Sequence, residues 1–449
     1  MSADLPRRFD WLSAFQFAFS ALAALLGLAA ALLFGLMAAV GMLMPAVGPM
    51  PSNDLSLWML AASASFTALL LLPSAWFALQ RLSGRGEQAA APQPPLKASL
   101  GWLLPLPLII LAGYGLTRLG SPWNYFLPVL NILAITLTAG WLFAVGSRGL
   151  SLGSRQRFWG VLAGGAVLGP VIILMVEVVF LVIFLVVAVA NLASDQVLLE
   201  RLAAIMENVP NSPQASEELF TVLRPFLSRP VVLYAVLAFA AGLVPLVEEA
   251  FKPIAVWLLY RRPLTSTQGY VAGLLSGAGY GLFESLSLAM GGENWALVVT
   301  TRAGTTLLHI LASGLVGWGL AGAFQRGRFG RLVLAYLSAV LLHGTWNGLT
   351  LISTAGELGL SNFADNPILQ MISRVAPVGL ILLIVGLFAA LILLNRAFPH
   401  PVPGTEMSGY NGAILPAQPH SADVGGIPLP GNTWDVDQPP AGPAPKSQE

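Results

Sequence analysis

An all-α, polytopic integral membrane protein is the fold class that this sequence predicts, and three observations predict it. Hydrophobic residues make up 56% of the 449 residues. Charged residues make up only 10%, whereas soluble globular proteins carry about 25%. The apolar residues also come in long continuous runs, not in alternating segments of about ten residues, so the expected spans are helices and not the strands of a barrel.

Ten stretches are long enough to cross a hydrocarbon core of about 30 Å as helices. In chain order they cover approximately 12–45, 55–80, 98–117, 125–146, 158–193, 231–260, 264–291, 296–324, 329–354 and 375–396. The first stretch is far longer than the apolar core of a signal peptide, so we expect a retained span. Spans six to nine are expected to form a helical core bundle, since ionisable residues concentrate there.

These stretches divide the chain into four regions. Residues 1–193 form an N-terminal membrane region of about five transmembrane helices, and residues 231–396 form the membrane core. Between them, residues 194–230 are expected to be an external amphipathic segment, with leucines and an isoleucine at helical spacing between 198 and 205. Residues 397–449 are rich in proline, glycine and serine, which is typical of a disordered tail.

Basic residues concentrate in alternate connections between the spans. One set of connections carries Arg7, Arg8, Arg81, Arg85, Lys97, Arg148, Arg155, Arg157, Arg261, Arg262, Arg326, Arg328, Arg331 and Arg396. The positive-inside rule places these connections in the cytoplasm, so both termini of this multi-pass, plasma-membrane protein are predicted to be cytoplasmic. The formal net charge of +1 and the lack of a basic run argue against a nucleic-acid partner. The chain has no cysteine, which excludes disulfides and thiolate ligands.

Glu248, Glu249 and Lys252 lie deep inside the sixth apolar stretch. A charged residue at the centre of a bilayer costs about 2.5–3.5 kcal/mol on insertion scales, so three within one and a half turns need a reason. Residues three and four apart share a helix face, which lets Lys252 pair with either carboxylate. The pair could also serve only to fix the helix register, which is the structural alternative.

The next three spans each add a polar group at membrane depth. These are Glu284 in the seventh span, His309 in the eighth, and His343 with Asn347 four residues later in the ninth. Carboxylates and histidines in a partly wet cavity can supply a general base and donors to a developing oxyanion. For His309 alone, an interhelical hydrogen bond is an equally good interpretation.

The same side chains leave the question of a metal open. Glu248, Glu284, His309 and His343 offer nitrogen and oxygen ligands that could form a site for zinc or another divalent ion. No HExxH motif of a zinc peptidase occurs, because Ile310 follows His309.

Small residues recur every four positions in the seventh span. They are Gly269, Gly273, Gly277, Gly281 and Ser285, a pattern that predicts close packing of this helix against a neighbour. Prolines 245 and 253 bracket the glutamate pair and predict a kink in the sixth span. Glu177 and Asn131, each isolated in its span, are not assigned to the site.

Three motifs, on the sixth, seventh and ninth spans, resemble the PrsW-like intramembrane proteases, within the superfamily of CAAX prenyl endopeptidases and bacteriocin-processing enzymes. They are Glu248-Glu249-Ala250-Phe251-Lys252, Tyr280 to Glu284, and His343 to Asn347, within residues 231–354. Two positions depart from the family pattern. Tyr280 stands where phenylalanine is usual, and Asn347 follows the CAAX type where PrsW-like proteins often have aspartate.

The resemblance implies a role for each matched residue. Glu248 would be the base that activates water, with Glu249 and Lys252 as its electrostatic partners, and residues 231–396 would be the catalytic core. Glu284 would stand where CAAX endopeptidases have histidine and PrsW-like proteins glutamate. His343 and Asn347 would stabilise the oxyanion, and His309 would be an additional site residue.

The expected function is therefore a glutamate-dependent intramembrane endopeptidase acting on a membrane-anchored protein, of which an anti-sigma factor is one candidate. Two other functions stay open. A non-catalytic scaffold subunit would use the polar groups for assembly, and a proton-coupled transporter would use them as a relay. Against a transporter, the first five spans hold no matching set of charges. The sequence does not give the oligomeric state.

Overall fold

In a computed structural model, the structure describes residues 10–43, 54–86, 88–90, 100–151, 153–192, 196–197, 199–200, 203–204, 215–288, 294–360 and 366–399. Every regular element of these residues is a helix, and a single antiparallel bridge joins Ala89 to Ser154. The predicted all-α, polytopic fold class is confirmed. The predicted helix around 198–205 lies largely outside the described residues, as does the predicted tail from residue 400 onwards.

Six α-helices lie in the described residues of the N-terminal half. They are α1 (Trp11–Leu43), α2 (Asp54–Leu82), α3 (Leu106–Leu119), α4 (Leu127–Gly146), α5 (Arg155–Ala163) and α6 (Gly169–Leu192). A short 3₁₀ turn, Trp123–Phe126, precedes α4, and a π-helical segment, Gly164–Leu168, joins α5 to α6.

The C-terminal half carries the polar residues singled out above. Its helices are α7 (Ala215–Leu227), α8 (Pro230–Leu237), α9 (Val244–Phe251), α10 (Ile254–Trp257), α11 (Ser266–Ser287), α12 (Trp295–Arg326), α13 (Phe329–Glu357) and α14 (Pro367–Ala397). A second π-helical segment, Ala238–Leu243, joins α8 to α9.

Eight continuous helical stretches in the described residues, some made of several of these elements, are long and apolar enough to cross a membrane. The two other predicted spans differ for separate reasons. The third is the apolar helix α3, which has only 14 residues. The seventh is α11, whose glycines and polar side chains lower its hydropathy, and 16 of its 22 residues are buried. A helix shielded from lipid by its neighbours does not need an apolar surface all round.

The predicted sixth span is not one continuous helix. It runs from Pro230 to Phe251 through the π-helical segment and then breaks at Pro253, before the short helix α10. Proline lacks the N–H that would continue the helix, and its ring clashes with the carbonyl four residues back. Pro245 lies in the first turn of α9, where it is tolerated. The break therefore falls directly after Lys252.

Close packing of α11 on α12 follows the predicted row of small residues. A Cβ added to Gly273 would overlap the carbonyl oxygen of Ser313, and one added to Gly277 would overlap that of His309. Only glycine allows the two backbones to approach this closely. The row therefore fixes the register of the hairpin that carries two of the predicted site residues.

Several of the arginine-rich connections meet at one end of the bundle. Asp10 Oδ1 lies 2.7 Å from Arg262 Nη2, and Asp10 Oδ2 lies 3.8 Å from Arg81 Nε. Arg155 Nη1 donates to Gln88 Oε1 at 3.3 Å. These contacts agree with a shared side for these connections. That this side is the cytoplasmic one stays a prediction.

The described part of the predicted external segment is α7. Its Phe220 and Leu227 pack on a small apolar cluster that includes Leu233 of α8 and Leu360 after α13. Arg224 donates to the carbonyl oxygen of Gly359. Helix α7 is therefore anchored to the same end of α13 as α8.

Candidate functional site

Four helices bring the predicted residues together in the interior of the bundle. Helix α9 carries Glu248 and Glu249 at its end, and Lys252 follows directly, its amide nitrogen donating to Glu248 O at 2.7 Å. Helices α11, α12 and α13 contribute Glu284, His309 and His343. The helical hydrogen bond at Lys252 keeps its side chain on the same face as the two glutamates, as the spacing predicts.

The Lys252 ammonium lies at the centre of this group. Its Nζ is 2.7 Å from Glu248 Oε2 and 2.7 Å from Glu249 Oε1. It also lies 2.9 Å from His309 Nδ1 and 3.2 Å from His343 Nδ1. One cation therefore connects two carboxylates on its own helix with histidines on two other helices.

The cluster is almost fully enclosed. Glu249 and Lys252 are 0% exposed, His309 1% and His343 3%. Glu249 Oε1 also lies 2.8 Å from His343 Nδ1, so one oxygen of this carboxylate contacts two partners. Glu248 differs from its neighbour, because its side chain keeps 10% of its surface exposed. Of the two adjacent glutamates, only Glu248 keeps any exposed side-chain surface.

Tyr280, the aromatic residue of the second motif, forms one wall of the cluster. Its ring centre lies 4.7 Å from Lys252 Nζ, a cation–π contact, and 5.0 Å from the His309 ring, which it meets edge to face. Tyr280 also packs with Ile173 and Val247 in an apolar cluster. Such a wall lowers the local dielectric and strengthens the charge interactions beside it.

Glu284 lies behind His309 as seen from Lys252. Its Oε2 is 2.5 Å from His309 Nε2, so the two nitrogens of His309 face different partners. Arg302 on α12 holds the same carboxylate, with Nη2 2.7 Å from Oε2 and Nη1 3.2 Å from Oε1. A carboxylate on the far nitrogen of a histidine fixes the orientation of the ring and its tautomer.

Two contributors to the site were missed by the sequence analysis. Arg302 precedes His309 by seven residues, two helical turns on one face, and this spacing was a usable signal. Ser276 Oγ donates to the carbonyl oxygen of Lys252 at 2.6 Å, which satisfies an acceptor freed by the break at Pro253. No pattern in the sequence points to that contact.

Asn347 lies on the same helix as His343, yet its amide nitrogen donates to the carbonyl oxygen of Ala240 at 2.8 Å. Ala240 belongs to the π-helical segment before α9. The Asn347 amide is therefore bonded to the backbone of the segment that precedes the two glutamates, and it lies outside the cluster around Lys252. Its role at an oxyanion stays a prediction.

The two residues left unassigned have simple surroundings. Asn131 accepts a hydrogen bond from Trp295 Nε1 at 3.1 Å and thereby joins α4 to α12. Glu177 on α6 has one buried carboxylate oxygen for which the described residues provide no hydrogen-bond partner.

The possible metal ligands differ from the predicted set by one residue. Glu248, Glu249, His309 and His343 each offer a donor atom within 4.8 Å of the others, and by this spacing they could hold a metal ion. Glu249 takes the place predicted for Glu284, which binds the far nitrogen of His309 instead. However, Lys252 Nζ contacts all four of these side chains, so a cation already lies among them.

One comparison with known proteins bears on this segment. Residues 214–390 match a family described as PrsW family intramembrane metalloprotease. No curated protein and no solved structure matches the chain. The matched range contains every residue of the cluster, so it supports the resemblance to the PrsW family where the polar residues lie. The relation to CAAX endopeptidases stays a prediction.

Proposed function

We propose that this multi-pass membrane protein is an intramembrane endopeptidase that hydrolyses a peptide bond of a membrane-anchored protein, with Glu248 activating the water. One observation carries the proposal: of two adjacent glutamates held by one buried lysine, Glu248 keeps 10% of its side-chain surface exposed and Glu249 keeps none. The match of residues 214–390 to a family of intramembrane proteases supports the reaction class.

The buried contacts suggest a division of labour. Glu248 would accept a proton from water as the oxygen attacks the carbonyl carbon, and would return it to the leaving amine. Lys252 and Glu249 would hold Glu248 in place, since Lys252 contacts both carboxylates. Lys252 also offsets part of their negative charge, which is costly in a low-dielectric interior.

Stabilisation of the oxyanion is proposed to come from the histidines. The Nδ1 atoms of His309 and His343 face Lys252, and the Nε2 atom of His309 faces Glu284. This leaves the Nε2 atom of His343 as the candidate donor to the oxyanion. Preorganised donors of this kind are each worth about 10²–10³ in kcat when they are removed from an acyl-transfer site.

The substrate is proposed to be a membrane-anchored protein, such as an anti-sigma factor, because the cluster lies inside helices long enough to span a bilayer. A non-catalytic scaffold is the second candidate. One observation favours it: Lys252 satisfies partners on three helices at once, as a structural ion cluster would.

The test is cleavage of single-span substrates in reconstituted membranes by wild type, Glu248→Gln and His343→Ala. Glu357→Gln, which changes an exposed glutamate at the end of α13, is the matched control. A peptidase predicts that both site variants lose cleavage with little change in melting temperature, while the control keeps it. Cleavage that survives Glu248→Gln would refute the assigned base. A large fall in the melting temperature of Glu248→Gln would favour the scaffold.

A further inference from the structure

We propose that the Lys252 ammonium is the resident cation of this site, and that it occupies the position a divalent ion would need, so that the wild-type protein holds no metal there. The inference deepens the proposed function, because it says which cation organises the same cluster. Its measurement needs no substrate, so the two proposals can fail separately.

The first argument is that the ammonium and a metal would share the same ligands. Among the described residues, Glu248, Glu249, His309 and His343 offer donor atoms that lie within 4.8 Å of one another. Lys252 Nζ contacts all four, at distances between 2.7 and 3.2 Å. No second cation can enter the centre of this group without displacing the first.

The second argument is the size of the cage. Zinc binds nitrogen and oxygen ligands at about 2.0–2.2 Å, which places tetrahedral ligands about 3.4 Å apart. The observed distances around Nζ, from 2.7 to 3.2 Å, are those of charge-assisted hydrogen bonds. The side chains are therefore spaced for an ammonium and would have to contract around a zinc ion.

The third argument is that Lys252 is fixed at its backbone and along its side chain. Its amide nitrogen donates to Glu248 O, and its carbonyl oxygen accepts from Ser276 Oγ. Its side chain is 0% exposed, and Nζ lies over the Tyr280 ring. Withdrawal would break the contacts to four polar side chains and leave a buried charge without them.

The fourth argument is charge. Two carboxylates face the Lys252 ammonium, and a divalent ion added beside it would bring three positive charges into one enclosed space. Like charges a few ångströms apart repel strongly when water is excluded. Lysine and metal are thus alternatives for this site, and the arrangement of the side chains favours lysine.

The experiment measures metal content in the full chain, purified in lipid nanodiscs after growth with added zinc. Mass spectrometry of bound metal and the shift of the melting temperature with zinc are the two readouts. Wild type should contain far less than stoichiometric metal and show no shift with zinc. Lys252→Ala vacates the centre while keeping the four ligands, and should bind zinc near stoichiometry.

Two further variants keep the inference falsifiable. Lys252→Ala combined with Glu249→Gln should lose the gained zinc, which would show that the ion binds in this cluster. Lys252→Arg should stay free of metal because it keeps a cation. Stoichiometric zinc in wild type, removed by a chelator, would overturn the inference, and this measurement stands even if Lys252→Ala does not fold. A folded Lys252→Ala chain that binds no zinc would equally overturn it.

Discussion

Replacing Arg302 by methionine tests whether the second layer of contacts positions His309. The guanidinium makes two contacts to the Glu284 carboxylate, at 2.7 and 3.2 Å, and one to Ser285 Oγ at 3.1 Å. Methionine retains the apolar stem and removes every donor. The perturbation therefore leaves Glu284 with His309 as its remaining partner among the described contacts.

The expected loss of stability in Arg302→Met depends on how far the Glu284 carboxylate is shielded from water. A hydrogen bond to a charged group contributes about 1.5–3 kcal/mol, but the Glu284 side chain is 32% exposed and water compensates part of the loss. We expect Arg302→Met to lower the free energy of unfolding by about 1–2 kcal/mol. Misplacing a functional group by about 1 Å can cost about 100-fold in rate, so we expect kcat to fall by about 10- to 100-fold.

The assay combines cleavage kinetics with unfolding, and a double variant makes it decisive. If Arg302 acts through Glu284, then Glu284→Gln with Arg302→Met should be no slower than the slower single variant, because residues in one chain of contacts are not additive. KM should change less than kcat. Arg374→Gln, at an exposed arginine of α14, is the control. Effects that multiply in the double variant, or a kcat unchanged in Arg302→Met, would refute the reasoning.

Three other perturbations separate packing from chemistry. Gly277→Ala should lower the free energy of unfolding by about 1–3 kcal/mol and reduce activity, because the added Cβ would overlap the backbone of His309. Gly386→Ala is the control: nothing lies within 4 Å of its added Cβ, so it should be neutral or stabilising. Thermal unfolding of both variants checks this. Asn347→Ala should lower the free energy of unfolding by about 1 kcal/mol, because its hydrogen bond to Ala240 O is lost. In a cleavage assay it should reduce kcat less than His343→Ala does. Equal losses of kcat would indicate that Asn347 does stabilise the oxyanion. Asp10→Asn weakens the ion pairs with Arg262 and Arg81, and should lower the free energy of unfolding by no more than about 1 kcal/mol. Cleavage should be unchanged. Thermal unfolding and a cleavage assay on the same variant test both expectations.

Local spacing explains what the sequence could predict about the site. The pairing of Lys252 with Glu248 and Glu249 needs only the three- and four-residue periodicity of a helix, and both contacts are present. The small residues of α11 likewise predicted close packing. The contacts of Lys252 with His309 and His343 depend on how three helices pack, and no spacing along the chain encodes those distances.

The membrane spans show the same limit. Eight described helical stretches, the largely buried α12 among them, are long and apolar enough to cross a membrane. Helix α11 occupies the predicted seventh span, but its glycines and polar side chains make it less apolar than they are. The π-helical segments that interrupt the fifth and sixth predicted spans have no apolar signature, because one extra residue per turn barely changes a hydropathy window. The break after Lys252 could be predicted, because Pro253 lacks the backbone N–H that would continue the helix.

The register of α11 and α12 explains how Glu284, near one end of its helix, reaches His309 in the middle of another. Gly277 packs against the backbone of His309, and Glu284 lies seven residues further, about 10 Å along the axis. The two helices are antiparallel, because Gly273 contacts Ser313 while Gly281 contacts Thr306. Side chains on a helix tilt toward its N-terminus, so in an antiparallel pair Glu284 and His309 lean toward each other. Their offset is thereby closed to a contact of 2.5 Å without a break in either helix. A shift of the small-residue row by one step would separate the pair, so the row that packs the hairpin also aligns the histidine that faces Lys252.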